Sequence, residues 1–187
     1  MRPPRKLSTE GELYAAALGI LVRRAHSVYE MRRALERRAD DETLVRRVLQ
    51  RLKDEKLLDD ARYAREFARY HAESRRQGRF RIARDLRTRG VPDRHIEAAL
   101  GELLRETDER ALVRKRLEHR LRQIIPRGVQ VHEANAREAL DERRLASVYR
   151  SLLRAGFSAD VIRAELRALT KQDISELPDQ VRTEDDT

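Results

Sequence analysis

The chain has 187 residues, 40% of them charged and 4% aromatic, and its 42 Lys+Arg against 33 Asp+Glu give a net charge of +9. The apolar residues are largely Ala and Leu, which argues against a sandwich or barrel and for helices with narrow apolar stripes and several small cores. There is no cysteine, so disulfides, thiolate metal sites and cysteine nucleophiles are excluded.

The charge is distributed unevenly. From Gln172 to Thr187 six acids face one base, Arg182, a net of −5, so residues 1–171 carry +14. A body this basic suits nucleic acid, an acidic protein surface or anionic lipid. Only five of the 42 bases are Lys, and the planar fork of Arg suits carboxylate and phosphate. A coding bias toward Arg explains that excess equally well, so composition alone decides nothing. The longest apolar run, Leu13 to Val22, is ten residues, against roughly 20 for a membrane span. No small-residue cleavage site follows it, and the expectation is a cytoplasmic protein without a membrane partner.

In chain order, residues 1–12 read as a flexible basic N-terminus. A helix follows over Leu13 to Arg24, and Ser27-x-x-Glu30 forms a capping box that starts the next. Leu35, Ala39, Val45, Val48, Leu49 and Leu52 then lie 51 positions before Leu86, Gly90, Ile96, Ala99, Leu100 and Leu103. Adding 66 gives Leu152, Gly156, Ile162, Glu165, Leu166 and Leu169, the same frame with one polar substitution. Each copy is a helix, a break and a second helix. Gly90 and Gly156 occupy breaks that call for a left-handed residue, whereas the first copy has Ala39, so its turn must differ or be strained.

A further helix precedes each pair, over Leu13 to Arg24, Asp60 to Ser74 and Glu109 to Ile124. The expected fold is therefore all-α, an elongated array of three tandem three-helix repeats over residues 13–58, 59–107 and 108–171. An insertion near 125–136 lengthens the third repeat. The acidic segment 172–187 lacks apolar period and is expected to be disordered.

Catalytic signatures are missing. His26, His71, His95, His119 and His132 show no metal-ligand spacing, and no glycine-rich phosphate loop or nucleophile elbow is present. Asp59-Asp60 at a helix start reads as capping rather than as a catalytic pair. The expectation is a binding protein without enzyme activity, metal or cofactor.

Positive charge carries the informative chemistry. Ten Arg between Arg62 and Gly90 face three acids, and seven bases between Arg110 and Arg127 face one. Such runs are commonly solvated helix faces, but two of them at matching places in successive repeats point to a binding face. The candidates are Arg75, Arg76, Arg79, Arg81, Arg84, Arg87, Arg114 and Lys115. With Ile82 and Leu86 facing inward, helical spacing puts Arg81, Arg84 and Arg87 on the exposed side. Tyr63, Phe67 and Tyr70, at i, i+4 and i+7, read as core residues ahead of stacking platforms for bases.

The repeats resemble the RecX family, small helical modulators of the RecA recombinase. Leu58-Asp59-Asp60-Ala61-Arg62-Tyr63-Ala64 with Phe67 is similar to the family's L-D-D-x-R-[YF]-A-x-x-F stretch. Gly78 to Leu86 resembles its G-x-x-R-I-x-x-E-L helix, with Asp85 in place of Glu. Ser27-Val28-Tyr29-Glu30-Met31 and Gly156-Phe157-Ser158 to Ile162 match the corresponding motifs of the first and third repeats. The resemblance spans roughly residues 13–170. It implies a monomer that binds RecA filaments on DNA and restrains their ATPase, strand exchange and coprotease activities, with single- or double-stranded DNA as a second partner. A helix-turn-helix transcriptional regulator is the alternative, since it too uses three-helix units. Glu97, Glu102, Glu106 and Glu165 on the second helices would face phosphate there and weigh against it.

Overall fold

A computed structural model describes residues 6–124 and 142–170. These residues form nine α-helices: α1 Glu10–Leu21, α2 Val28–Glu36, α3 Glu42–Asp54, α4 Asp60–Glu73, α5 Arg79–Thr88, α6 Asp93–Glu106, α7 Glu109–Ile124, α8 Glu142–Arg154 and α9 Ala159–Thr170. Among the described residues there is no strand. The chain is all-α and built of tandem three-helix repeats, and the apolar frame accounts for this. Leu35, Val48, Leu52, Leu86, Ile96, Leu152, Ile162 and Leu166 are all 1% exposed or less. The insertion expected near 125–136 and the acidic segment from 172 lie outside the described residues.

The chain divides into two compact units. One holds the described residues up to Phe67 together with Asp85–Ala99, and the other holds Ala68–Arg84 together with the described residues from Leu100 onward.

In the first unit α1, α2 and α3 pack on one another around Leu13, Met31, Leu35, Val48, Leu49, Leu52 and Leu58. Each such side chain contributes about 1.5–3 kcal/mol on burial. Three caps fix the helix starts. Thr9 accepts from Glu12 N–H, Ser27 and Glu30 form the expected capping box, and Asp41 accepts from Thr43 N–H. Leu13 is thus not the first residue of α1, which starts at Glu10 and ends at Leu21.

The N-terminal residues 6–12, expected to be flexible, are tied down. Leu7 N–H donates to Arg38 O at 2.7 Å and Asp40 N–H to Leu7 O at 3.1 Å, an isolated parallel bridge between Leu7 and Ala39. The same bridge explains how repeat one manages without a turn glycine. Ala39 is not among the positive-φ residues. Its N–H donates to Leu35 O at 2.8 Å, and Leu7 satisfies the neighbouring backbone groups. The turn differs and carries no left-handed strain.

The two later breaks follow the glycine rule. Gly90 (φ 70°) and Gly156 (φ 88°) each end a helix, with Val91 N–H donating to Leu86 O and Phe157 N–H to Leu152 O. Each is also a docking point. A Cβ on Gly90 would lie 2.3 Å from Tyr29 Cγ, and one on Gly156 would lie 2.3 Å from Arg81 N. Beside Gly90, buried Ser27 donates to Arg89 O. Glu30 gathers Arg24, Arg89 at 2.7 Å and the Ser27 N–H. Burial alone would raise the Glu30 pKa, but these donors outweigh it and hold it below its ordinary value.

In the second unit α7, α8 and α9 pack on one another through Val113, Leu117, Leu121, Val148, Leu152, Ile162 and Leu166. Glu165, the polar substitution in the frame, is 6% exposed. Arg110 donates to it at 2.6 Å and Arg114 approaches at 3.4 Å.

Candidate functional site

The basic site is built in the second unit, at the turn between α4 and α5. Ser74 N–H donates to Tyr70 O and Gln77 N–H to His71 O, closing the end of α4. The closure drives Arg76 into the left-handed region, at φ 51°. An L-residue pays about 1–2 kcal/mol there, and glycine would not. Gly78 N–H then donates to Ala155 O at 2.7 Å and Phe80 N–H to Gly156 O at 3.0 Å, which anchors the start of α5 on the α8–α9 turn.

From α7, Arg116 and Arg120 come to the same place. Arg116 donates to Arg75 O at 3.5 Å. Burial, then the guanidiniums of Arg76, Arg120 and Arg81, hold the Arg116 pKa below its ordinary value. Arginine keeps its proton regardless, so the shift registers burial first and, after it, the guanidiniums of Arg76, Arg120 and Arg81 gathered nearby. The chemistry of clustered guanidiniums suits an oxyanion, either carboxylate or phosphate. Two exposed aromatic rings border it, each with a guanidinium over its face: Arg75 over Tyr70 at 5.9 Å and Arg79 over Phe80 at 4.7 Å.

The sequence candidates land differently from one another. Arg75, Arg84 and Lys115 are exposed, and Arg76 and Arg79 are half-buried. Arg81 does not lie on the open side of α5 as expected. It is half-buried because its backbone and Cβ pack on Gly156, and its guanidinium reaches Arg154 O at 3.4 Å. Arg114 is held by Asp108 at 3.3 Å and by Glu165. Arg87 is exposed but belongs to the first unit, where it pairs with Asp93 at 2.7 Å. Arg116 and Arg120 were missed; their i, i+4 spacing puts them on one helix face, but Arg110 and Arg114 share that spacing on the same helix.

Of the aromatic triad, Tyr63 is core at 8% exposure whereas Tyr70 is 51% exposed. Asp59 and Asp60 serve as caps. Asp59 accepts from Ala61 and Arg62 N–H, and Asp60 from Val28 N–H at 2.9 Å. Among the described residues no group of His, Asp and Glu could hold a metal ion, and no helix is long and apolar enough to cross a membrane.

Fold and site together define a protein of tandem three-helix repeats bearing a basic face. A family profile described as "RecX, second three-helix domain" matches residues 59–100. The Regulatory protein RecX of Halorhodospira halophila is 39% identical over 158 residues, covering 84% of this chain and 88% of that one. That of Trichlorobacter lovleyi is 32% identical over 155 residues, covering 81% and 92%. The crystal structure of RecX from Lactobacillus salivarius superposes with a TM-score of 0.68 at 23% identity, over 87% of this chain and 97% of the other. The chain belongs to the RecX family, whose named relatives are regulatory proteins.

Proposed function

We propose that this protein restrains RecA filaments on DNA, lowering their ATPase, strand-exchange and coprotease activities. It acts by binding alone, as a cytoplasmic monomer without catalytic activity, metal or cofactor. Arg75, Arg76, Arg79, Arg81 and Arg84, with Arg116 and Arg120 behind them, form the face that meets the filament. Family membership over 84% of the chain supports the regulatory role. The converging guanidiniums around Arg116 are the observation that carries the site.

The physics of a repeat array suits this role. Exposed ion pairs contribute only about 0.2–1 kcal/mol each. A periodic filament, however, lets several weak contacts form together, and linked contacts multiply in affinity. The test is RecA's DNA-dependent ATPase measured while the purified protein is titrated in. The rate is expected to fall and saturate. A rate unchanged at saturating protein would contradict the reading.

A further inference from the structure

The first unit holds an open cleft of about 700 Å³, lined by Tyr29, Arg32 and Arg33 of α2, Lys53 and Lys56 at the end of α3, and Arg94 of α6. We infer that this cleft is a binding site for single-stranded nucleic acid, with cations on the phosphates and Tyr29 as a stacking platform. The site shares no residue with the basic face of the second unit, and the inference does not depend on RecA.

Charge comes first. Three acids also line the cleft, Glu36, Asp59 and Asp60. All three are engaged within the protein. Asp59 and Asp60 accept backbone N–H groups, and Glu36 faces Arg33 at 3.8 Å. Among the described residues Arg32, Lys53, Lys56 and Arg94 have no carboxylate partner. The five cations that line the cleft, Arg32, Arg33, Lys53, Lys56 and Arg94, outnumber its three carboxylates, so it presents net positive charge to whatever enters it.

Lys56 is the second observation. It sits at φ 56°, ending α3 with Leu57 N–H on Leu52 O and its own N–H on Lys53 O. Those bonds repeat the pattern at Gly90 and Gly156, where the chain uses the residue that tolerates this conformation. A lysine there is strained, and strain of this kind is retained where the side chain has a use. Lys56 lines the cleft.

Tyr29 decides the chemical class. Its ring is 48% exposed, yet its base is pinned, because the Gly90 backbone leaves no room for a Cβ beside Tyr29 Cβ and Cγ. The aromatic rings bordering the other basic face carry guanidiniums of their own, Arg75 on Tyr70 and Arg79 on Phe80, whereas among the described residues no cation lies over Tyr29. An acidic peptide would need the cations but no pinned, half-open ring. A single strand uses both, since every base has a face to stack.

The experiment follows the anisotropy of a fluorescein-labelled oligothymidylate with the full-length protein and no RecA, across a salt series. Lys56→Gly relieves the strained turn while deleting the charge. It should melt no lower than wild type, bind more weakly and show a salt slope shallower by roughly 0.7. Tyr29→Leu should weaken binding about five-fold or more with the slope unchanged, as loss of one stacked base predicts. An unlabelled single strand should compete better than a duplex or a polyglutamate. The inference is overturned by undiminished affinity in Lys56→Gly. It is equally overturned by polyglutamate competing as well as the single strand, or by binding that Arg76→Gly abolishes and both cleft variants leave intact.

Discussion

Gly78 and Gly156 meet backbone to backbone: a Cβ placed on Gly78 would lie 2.2 Å from Gly156 O. Gly78 is thus a glycine of close approach, and Gly156 is both that and a left-handed helix terminus. Their contact fixes where the arginines that follow Gly78 are presented. Alanine at either position should destabilise the protein by about 2 kcal/mol or more, through overlap and, at Gly156, through backbone strain as well. Urea unfolding of the two variants checks this. Wild-type midpoints would mean the junction is looser than described.

Ser27 is the first-repeat counterpart of Gly78, 51 positions earlier, and Arg89 is the counterpart of Ala155, 66 positions earlier. There the junction is made by a side chain, with fully buried Ser27 donating to Arg89 O while it caps α2. Ser27→Ala loses a cap and a buried hydrogen bond, each about 1 kcal/mol. A loss of about 2 kcal/mol in thermal or chemical unfolding is the expected result, and Ser27→Gly should not restore it.

Glu30 supplies a pH dependence. Its carboxylate is held below its ordinary pKa because Arg24, the Ser27 N–H and Arg89 outweigh its burial. A carboxylate depressed in the folded state stabilises fully above its unfolded pKa, about 4.3. That contribution fades as pH falls through the lower folded value. Glu30→Gln should therefore be less stable than wild type at neutral pH, with the gap closing below about pH 4.3. Unfolding curves at stepped pH measure it, and a gap constant into acid would refute the assignment.

Glu165 stands in the frame where the other repeats have Val48 and Ala99, and Arg110 and Arg114 neutralise it. The two sides of this pair should respond unequally. Removing both arginines strands a buried carboxylate and should cost about 3–5 kcal/mol. Glu165→Ala leaves cations that are 56% exposed and can turn to water, so its cost should stay below about 1 kcal/mol. Equal losses on the two sides would show that the carboxylate itself organises α9.

Much of this was legible in the sequence because helical period and turn chemistry are local. Val45, Val48, Leu49 and Leu52 announce α3, Ser27-x-x-Glu30 the start of α2, and Gly90 and Gly156 the breaks. What escaped depends on contacts distant in sequence. Nothing near Ala39 says that Leu7 completes its turn, and nothing in α5 says that Gly156 covers Arg81. The same holds for the site. Charge runs identified the stretches, but which arginines converge is set by α7 meeting the α4–α5 turn, so Arg116 and Arg120 could not be separated from Arg114. Lys56 and Arg76 gave no signal either, because left-handed basic residues have no sequence mark.

The arginines around the α4–α5 turn are the groups proposed to meet RecA filaments. The direct measurement compares the wild-type protein with Arg75→Glu, Arg76→Gly, Arg84→Glu in one chain, titrated into RecA's DNA-dependent ATPase. Arg75 and Arg84 are exposed and Arg76→Gly relieves a left-handed turn, so the variant should keep its helix content and unfolding midpoint. Wild type should slow the ATPase, and the folded variant should not. A folded variant that slows it as well as wild type would show that this face is merely solvated.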